Sequence, residues 1–257
     1  MNYIVVPVVV WGLTRFLPDD TALLLGVFLV LLTPCIDYVI VFTHLGQGNE
    51  ELVLVSTPLL FVTQMILLPV YLWLFMGTEA VKIVHVEPFL EAFFGLIVFP
   101  LLFALLTQFW AGKQQLGERF LDATAWLPVP FMALTLFVIV ASQISRLYQF
   151  FDIIIQVIPV YAAFMAIIPI LASICSRIFR LDTRAGRALV FSSGTRNSLV
   201  VLAFALALPE PLNGLVSAVI VTQTIVELVG ELIYVRVVPR VLLRDTEKFT
   251  YHANVDR

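Results

Sequence analysis

The sequence predicts an all-α, polytopic membrane helical bundle with inverted repeats and two broken, crossing helices. Three observations predict it. The 257 residues are 61% hydrophobic and only 13% charged, too little charge to cover the surface of a soluble domain of this length. The apolar residues gather into passages long enough to cross a hydrocarbon core, which takes about 20 residues of helix. Two of those passages are interrupted by short polar stretches, at Thr33-Pro34 and around Ser192-Ser193-Gly194. The net charge of −3 gives no nucleic-acid footprint. Cys35 and Cys175 lie in different apolar segments, with neither disulfide nor zinc spacing, and no cofactor is implied.

Eight passages follow in order. Met1–Leu17 lacks the basic start and small-residue cleavage site of a signal peptide, so it reads as a span. Ala22–Leu45 is broken at Thr33-Pro34, and Leu52–Met76 follows it. Thr78–Pro88 is a connector to Phe89–Trp110. Then come Phe120–Ala141, Phe150–Cys175, Ala185–Leu208 with its break near Gly194, and Leu212–Val238. The connections are short and polar, so residues 1–257 are read as one transporter-like domain, a partial first repeat over 1–76 and a second over 89–238. Trp11, Trp73, Trp110 and Trp126 read as interfacial anchors.

Lys and Arg in alternate connections set the orientation. One side carries Lys113, Arg119, Arg177, Arg180, Arg184 and Arg187, with Arg236, Arg240, Arg244, Lys248 and Arg257 in the tail; the other carries Arg15, Lys82 and Arg146. The richer side is expected to be cytoplasmic, with both termini of this chain inside, in the cell's inner (plasma) membrane.

The repeat is visible in Val62-Thr63-Gln64-Met65-Ile66, which returns as Val221-Thr222-Gln223-Thr224-Ile225. Each copy follows an interrupted helix at nearly the same distance, Pro34 to Gln64 and Gly194 to Gln223. The two units lie an odd number of spans apart, which turns one over relative to the other. Paired discontinuous helices in inverted repeats point to a secondary transporter whose substrate site lies where the breaks meet.

The chemistry is expected at those breaks. Pro34 has no N–H and frees backbone groups at membrane depth, where they must be buried in protein or line a cavity. Cys35 and Asp37 follow it at once. Cys35 is either a small hydrophobe or a soft ligand for a thiophilic substrate such as trivalent arsenic or antimony hydroxide. The second break offers Ser192, Ser193, Gly194, Thr195, Arg196 and Asn197. Arg196 costs about 2.5–3.5 kcal/mol at a helix centre on insertion scales, so it needs a partner, and Asp37 on the opposing break is the expected one. That pair is either a permanent bridge or one that opens when substrate or a proton arrives. Gln223, Glu227 and Glu231 recur every four residues and form one polar stripe facing the bundle. Glu231 is expected to pair with Arg236. Glu227, with no cation near it in sequence, is the candidate protonatable coupling residue, together with Asp37. His44 reads as interfacial. No nucleophile–base pair or metal triad lies in the spans, so no enzyme is expected.

On these residues the chain resembles the bile acid/sodium symporter superfamily, which includes the arsenite efflux permeases of arsenical resistance. Pro34-Cys35-Ile36-Asp37 through His44-Leu45-Gly46-Gln47-Gly48-Asn49 is similar to that family's fourth helix and its exit. Ser193–Leu208 is similar to the ninth helix, and Leu215–Tyr234 to the tenth. The resemblance implies two inverted sets of five helices, crossed by broken helices four and nine. Counting back places Met1 at the family's third helix, so the chain as given is expected to lack the first two. The Ser-Asn pair of the sodium-coupled branch is replaced by Val39-Ile40, and its acidic and Gln positions on the ninth helix by Ser192 and Arg196. Sodium coupling is therefore not expected. Cys35 matches the cysteine of the arsenite permeases, and Ile225-Val226-Glu227 resembles their Leu-Val-Glu, while Ser198-Leu199 stands where they carry an acidic residue. The resemblance implies a proton-coupled arsenite/antimonite antiporter, or alternatively a symporter of small organic anions. Its partners would be the lipid bilayer, a small inorganic or organic anion or metalloid, and protons, with no nucleic acid.

Overall fold

The computed structural model describes residues 1–36, 38–77, 94–124 and 126–244. Asp37, Lys82, the Thr78–Pro88 connector, Phe89, Lys248 and Arg257 lie outside them.

Helix starts follow the capping residues. After α1 (Val5–Thr14), the Asp20 carboxylate accepts the amides of Ala22 and Leu23 and opens α2 (Thr21–Leu32). Thr33 turns extended after α2, and helix resumes as α3 (Val39–Leu45). Asn49 caps α4 (Glu50–Met76) by accepting the Leu52 amide at 3.0 Å. α4 bends by 50° between its stretches Glu50–Gln64 and Ile66–Met76. Pro69 accounts for the bend: it cannot donate to the carbonyl four residues back, at position 65, and its ring crowds that turn.

A π-helical turn, Phe94–Val98, leads into α5 (Phe99–Ala111), followed by α6 (Gln115–Thr124) and α7 (Pro128–Gln149). This corrects the fifth passage. Residues 120–141 are not one span but the end of the amphipathic α6 and the body of α7, because Pro128 takes the first helical position. The long helix α8 (Phe151–Ile178) follows. Asp182 caps α9 (Thr183–Gly194) by accepting the Ala185 amide at 2.8 Å, and Asn197 caps α10 (Ser198–Leu206) through the Val200 amide at 3.2 Å. α11 (Leu212–Val237) ends in a π-helical turn, Val238–Leu242. The order half-helix, extended link, half-helix, long helix thus occurs twice.

All the described elements are helical. Among the described residues two helices are long and apolar enough to cross a membrane, α8 and α11 with its π-helical end, or three if bent α4 counts as one span. The apolar passages at 22–45 and 185–208 are each two half-helices, and Met1–Leu17 holds a helix of ten residues.

α11 lies at the centre and packs against α2, α7, α8 and α10. Gly26 lets α2 approach it: a Cβ there would lie 2.8 Å from Val219 Cγ1. The Tyr161 hydroxyl on α8 donates to the Val219 carbonyl at 3.1 Å. Trp11, Trp73, Trp110 and Trp126 all face outward.

A clasp holds the ends of α3 and α9. Gly46 ends α3 directly on Phe191 of α9, where a Cβ would be 2.2 Å from two ring carbons. The Asn49 amide donates to the Arg184 carbonyl at 3.0 Å. Arg187, 1% exposed, donates from Nε to the Leu243 carbonyl at 2.9 Å and from Nη1 to the Gln47 carbonyl at 3.1 Å.

Candidate functional site

The two breaks meet. α2 ends where the Thr33 hydroxyl donates to the Leu29 carbonyl at 2.8 Å, one turn back, and Thr33 turns extended ahead of Pro34. α9 ends where Thr195 turns extended. The Cys35 amide donates to the Thr195 carbonyl at 3.1 Å, and the Asn197 amide to the Thr33 carbonyl at 2.9 Å. Pro34 and Arg196 therefore face each other in an antiparallel bridge. Backbone groups that leave helical pairing deep in an apolar bundle find partners in each other.

Within the second break the first half-helix runs on to Gly194. Ser192, Ser193 and Gly194 remain in α9, and the extended link is Thr195-Arg196-Asn197. Small residues are compatible with a helix, so composition marks the neighbourhood of the break and the pairing with Pro34 fixes its position. Gly194 serves packing: a Cβ there would lie 2.7 Å from Tyr234 Cε2.

Arg196 is 0% exposed. Its Nη1 donates to the Leu31 carbonyl at 3.2 Å. Its Nη2 reaches Asn2 Oδ1 at 3.1 Å, the Ser192 carbonyl at 3.4 Å and the Ser193 carbonyl. Leu31 lies in the last turn of α2, and Ser192 and Ser193 in the last turn of α9. The C-terminal carbonyls of two half-helices, the negative ends of their dipoles, thus converge on one guanidinium. Phe164 of α8 lies 5.4 Å from the guanidinium carbon. The expected partner Asp37 lies outside the described residues.

Glu227, also 0% exposed, joins the second break to α11. Its Oε2 accepts the Arg196 backbone amide at 2.9 Å and the Gln223 side-chain amide, and its Oε1 accepts the Tyr38 hydroxyl at 2.7 Å. The same hydroxyl lies 3.0 Å from the Arg196 carbonyl. Glu227 is thus held at the break that carries Arg196 and is not remote from a cation. Glu231 does not pair with Arg236. It is buried, with Oε1 3.0 Å from the Thr195 hydroxyl, whereas Arg236 donates outward to the Leu232 carbonyl at 3.1 Å. Residues five apart on a helix do not share a face.

Ser192 sits beside Asn2, whose Nδ2 donates to the Ser192 carbonyl at 3.3 Å and lies 3.4 Å from its hydroxyl. Both line a cavity of about 290 Å³ between α1, α4 and α9, with Tyr3, Val53, Ser56, Leu60 and Ala188. Ser193, Thr195 and Asn197 are buried at the crossing, and Cys35 is 1% exposed. His44 stands apart at the surface, 3.1 Å from Glu50. Gln64, the counterpart of Gln223 in the repeated pentamer, is 2% exposed and borders a small cavity with Thr33.

Sequence reasoning missed Tyr38 and Asn2. Asn2 is a polar residue in an otherwise apolar start, which is a usable signal. Tyr38 carried none, because an aromatic residue after a break reads as packing.

Apolar helices, two of them broken and meeting beside a buried arginine and carboxylate, define a multi-pass membrane protein. The sequence profile of the Sodium Bile acid symporter family matches residues 1–150. The chain belongs to that family. No curated protein matches it.

Proposed function

We propose that the chain is a secondary transporter, not an enzyme, that exports arsenite and antimonite in exchange for protons and so confers arsenic resistance. It works in the inner membrane with both termini cytoplasmic, and its halves are inverted repeats. The observation that carries the reading is the joining of Cys35, through its amide, to the break that holds Glu227. Arsenite at neutral pH is an uncharged trihydroxide, which an anion pocket cannot hold by charge. The Cys35 thiol can exchange for one hydroxyl, forming one As–S bond and releasing one water. One thiol makes that bond reversible, as transport requires. Ser192, Ser193, Thr195 and Asn197 supply hydroxyls and an amide for the remaining As–OH groups. Glu227 takes up the coupling proton, with Asp37 as a second carboxylate. Val39 and Ile40 cannot replace the hydration shell of sodium, so sodium takes no part.

The test is arsenite accumulation in an efflux-deficient bacterium that expresses the chain. Cys35→Ala is expected to abolish resistance while the protein still inserts. Full resistance with Cys35→Ala would remove the metalloid reading.

One observation favours a second reading, a carrier of small organic anions. The largely apolar cavity at Asn2 and Ser192 borders the groups that bind Arg196, an arrangement suited to a carboxylate with an apolar body. Uptake of a labelled carboxylate that competes with no arsenite would favour it.

A further inference from the structure

The Tyr38 hydroxyl touches both the Glu227 carboxylate, at 2.7 Å, and the carbonyl of Arg196 within the antiparallel bridge, at 3.0 Å. The side chain is 1% exposed. A phenol has one proton and donates it to one acceptor at a time. Glu227 Oε2 is engaged by two N–H donors, from the Arg196 backbone and the Gln223 side chain, and neither can accept a proton in return. A proton arriving at Glu227 therefore goes to Oε1, where the Tyr38 oxygen is the acceptor. The Tyr38 O–H is then turned to the Arg196 carbonyl. When Glu227 is ionised, the Tyr38 O–H donates to the carboxylate, because a charge-assisted bond is roughly twice as strong as a neutral one. The Arg196 carbonyl then loses that donor.

We propose that Tyr38 is a positioning residue that relays the protonation of Glu227 to the bridge between the two broken helices. The crossing is tightened when Glu227 is protonated and loosened when it is ionised. The proposal rests on the reading of Glu227 as the coupling carboxylate. One proton is gained at Glu227 and none leaves Tyr38, whose O–H only changes its acceptor.

Among the described residues, the groups facing Glu227 are Arg196 from the second break, Tyr38 from the first with Cys35 beside it, and Glu231 and Tyr234 on α11 itself. α2 and α10 carry no titratable side chain. α8 brings Tyr161, engaged with Val219, and α7 carries Arg146 and the outward-facing Tyr148. These groups set the pH at which Glu227 titrates. The acceptor geometry at Oε1 sets the direction of the switch.

The test uses the purified full chain in detergent, with infrared difference spectra over pH and hydrogen exchange at the Cys35 and Asn197 amides, corrected for intrinsic exchange. Glu227→Gln assigns the titrating carboxyl band by its loss. In the wild type the two bridge amides are expected to be about tenfold better protected with Glu227 protonated, the scale of one hydrogen bond. Tyr38→Phe keeps the ring and its edge contact with Phe42. It should shift the acid band to higher frequency and cut the difference in protection to less than about twofold. Glu227→Gln, whose new amide donates to Tyr38, should hold high protection at every pH. An unchanged tenfold difference in Tyr38→Phe, or low protection in Glu227→Gln, overturns the relay alone. A spectrum in which Glu227→Gln removes no titrating band overturns the coupling reading and the relay with it.

Discussion

Arg196→Met tests whether the arginine holds two helix ends together. The substitution keeps an unbranched apolar stem and removes the guanidinium, leaving four acceptors without it: the carbonyls of Leu31, Ser192 and Ser193, and Asn2 Oδ1. Hydrogen bonds between side chains in membrane proteins contribute about 0.6 kcal/mol on average and about 1.7 kcal/mol at most. Four contacts at those values give a loss of about 2.5–7 kcal/mol. The charge itself points the same way, because two helix C-termini are left facing each other without a cation. Arg196→Lys should fall between, since an ammonium retains the charge and loses the planar fork that reaches both helices. The assay is reversible unfolding in mixed micelles, followed by tryptophan fluorescence. Arg196→Met within about 0.5 kcal/mol of wild type, the usual range of an inert surface change, would refute the reasoning.

Three further outcomes are expected. Gly46→Ala should destabilise by about 1–3 kcal/mol through overpacking, since its Cβ would sit 2.2 Å from the Phe191 ring; Phe191→Leu should rescue part of that loss, and strict additivity would contradict the contact. A maleimide should label Cys175 well before the fully buried Cys35 in the resting protein, with arsenite and a pH gradient raising the Cys35 rate; equal resting rates would contradict the closed crossing. Replacing sodium by choline should leave arsenite efflux unchanged, and a strict sodium requirement would return the organic-anion reading to first place.

What could be read in the sequence was local. Pro34 announces its break because a proline without an N–H leaves a carbonyl unpaired wherever it stands in a helix. Asp20, Asn49, Asp182 and Asn197 are caps by residue type, and each opens the helix that follows it. The fifth passage went wrong because hydropathy alone runs through Pro128, although that proline marks a helix start. Ser192 and Gly194 mark the neighbourhood of the second break, but being polar or small does not by itself end a helix, and the link within that stretch is Thr195-Arg196-Asn197. The surroundings of Arg196 were out of reach for a different reason. Its main partners are backbone carbonyls, which every residue has and no residue type signals. The Glu231–Arg236 pairing failed on spacing that the sequence did contain, since positions five apart diverge around a helix.

The clasp between α3 and α9 bears on how this molecule can change shape. Displacing α3 alone would take the Gln47 carbonyl from Arg187 and lift Gly46 off the Phe191 ring; carrying α9 along preserves both. The two half-helices on that side therefore share a single set of rigid-body coordinates, and the segment that ends at Leu243 rides with them through the same guanidinium. Relative to α2 and α10, the compliant elements are the two extended links, tied by a pair of backbone hydrogen bonds. Such a joint has the mechanics of a pivot: it resists translation along the strands and yields to rotation about the bridge.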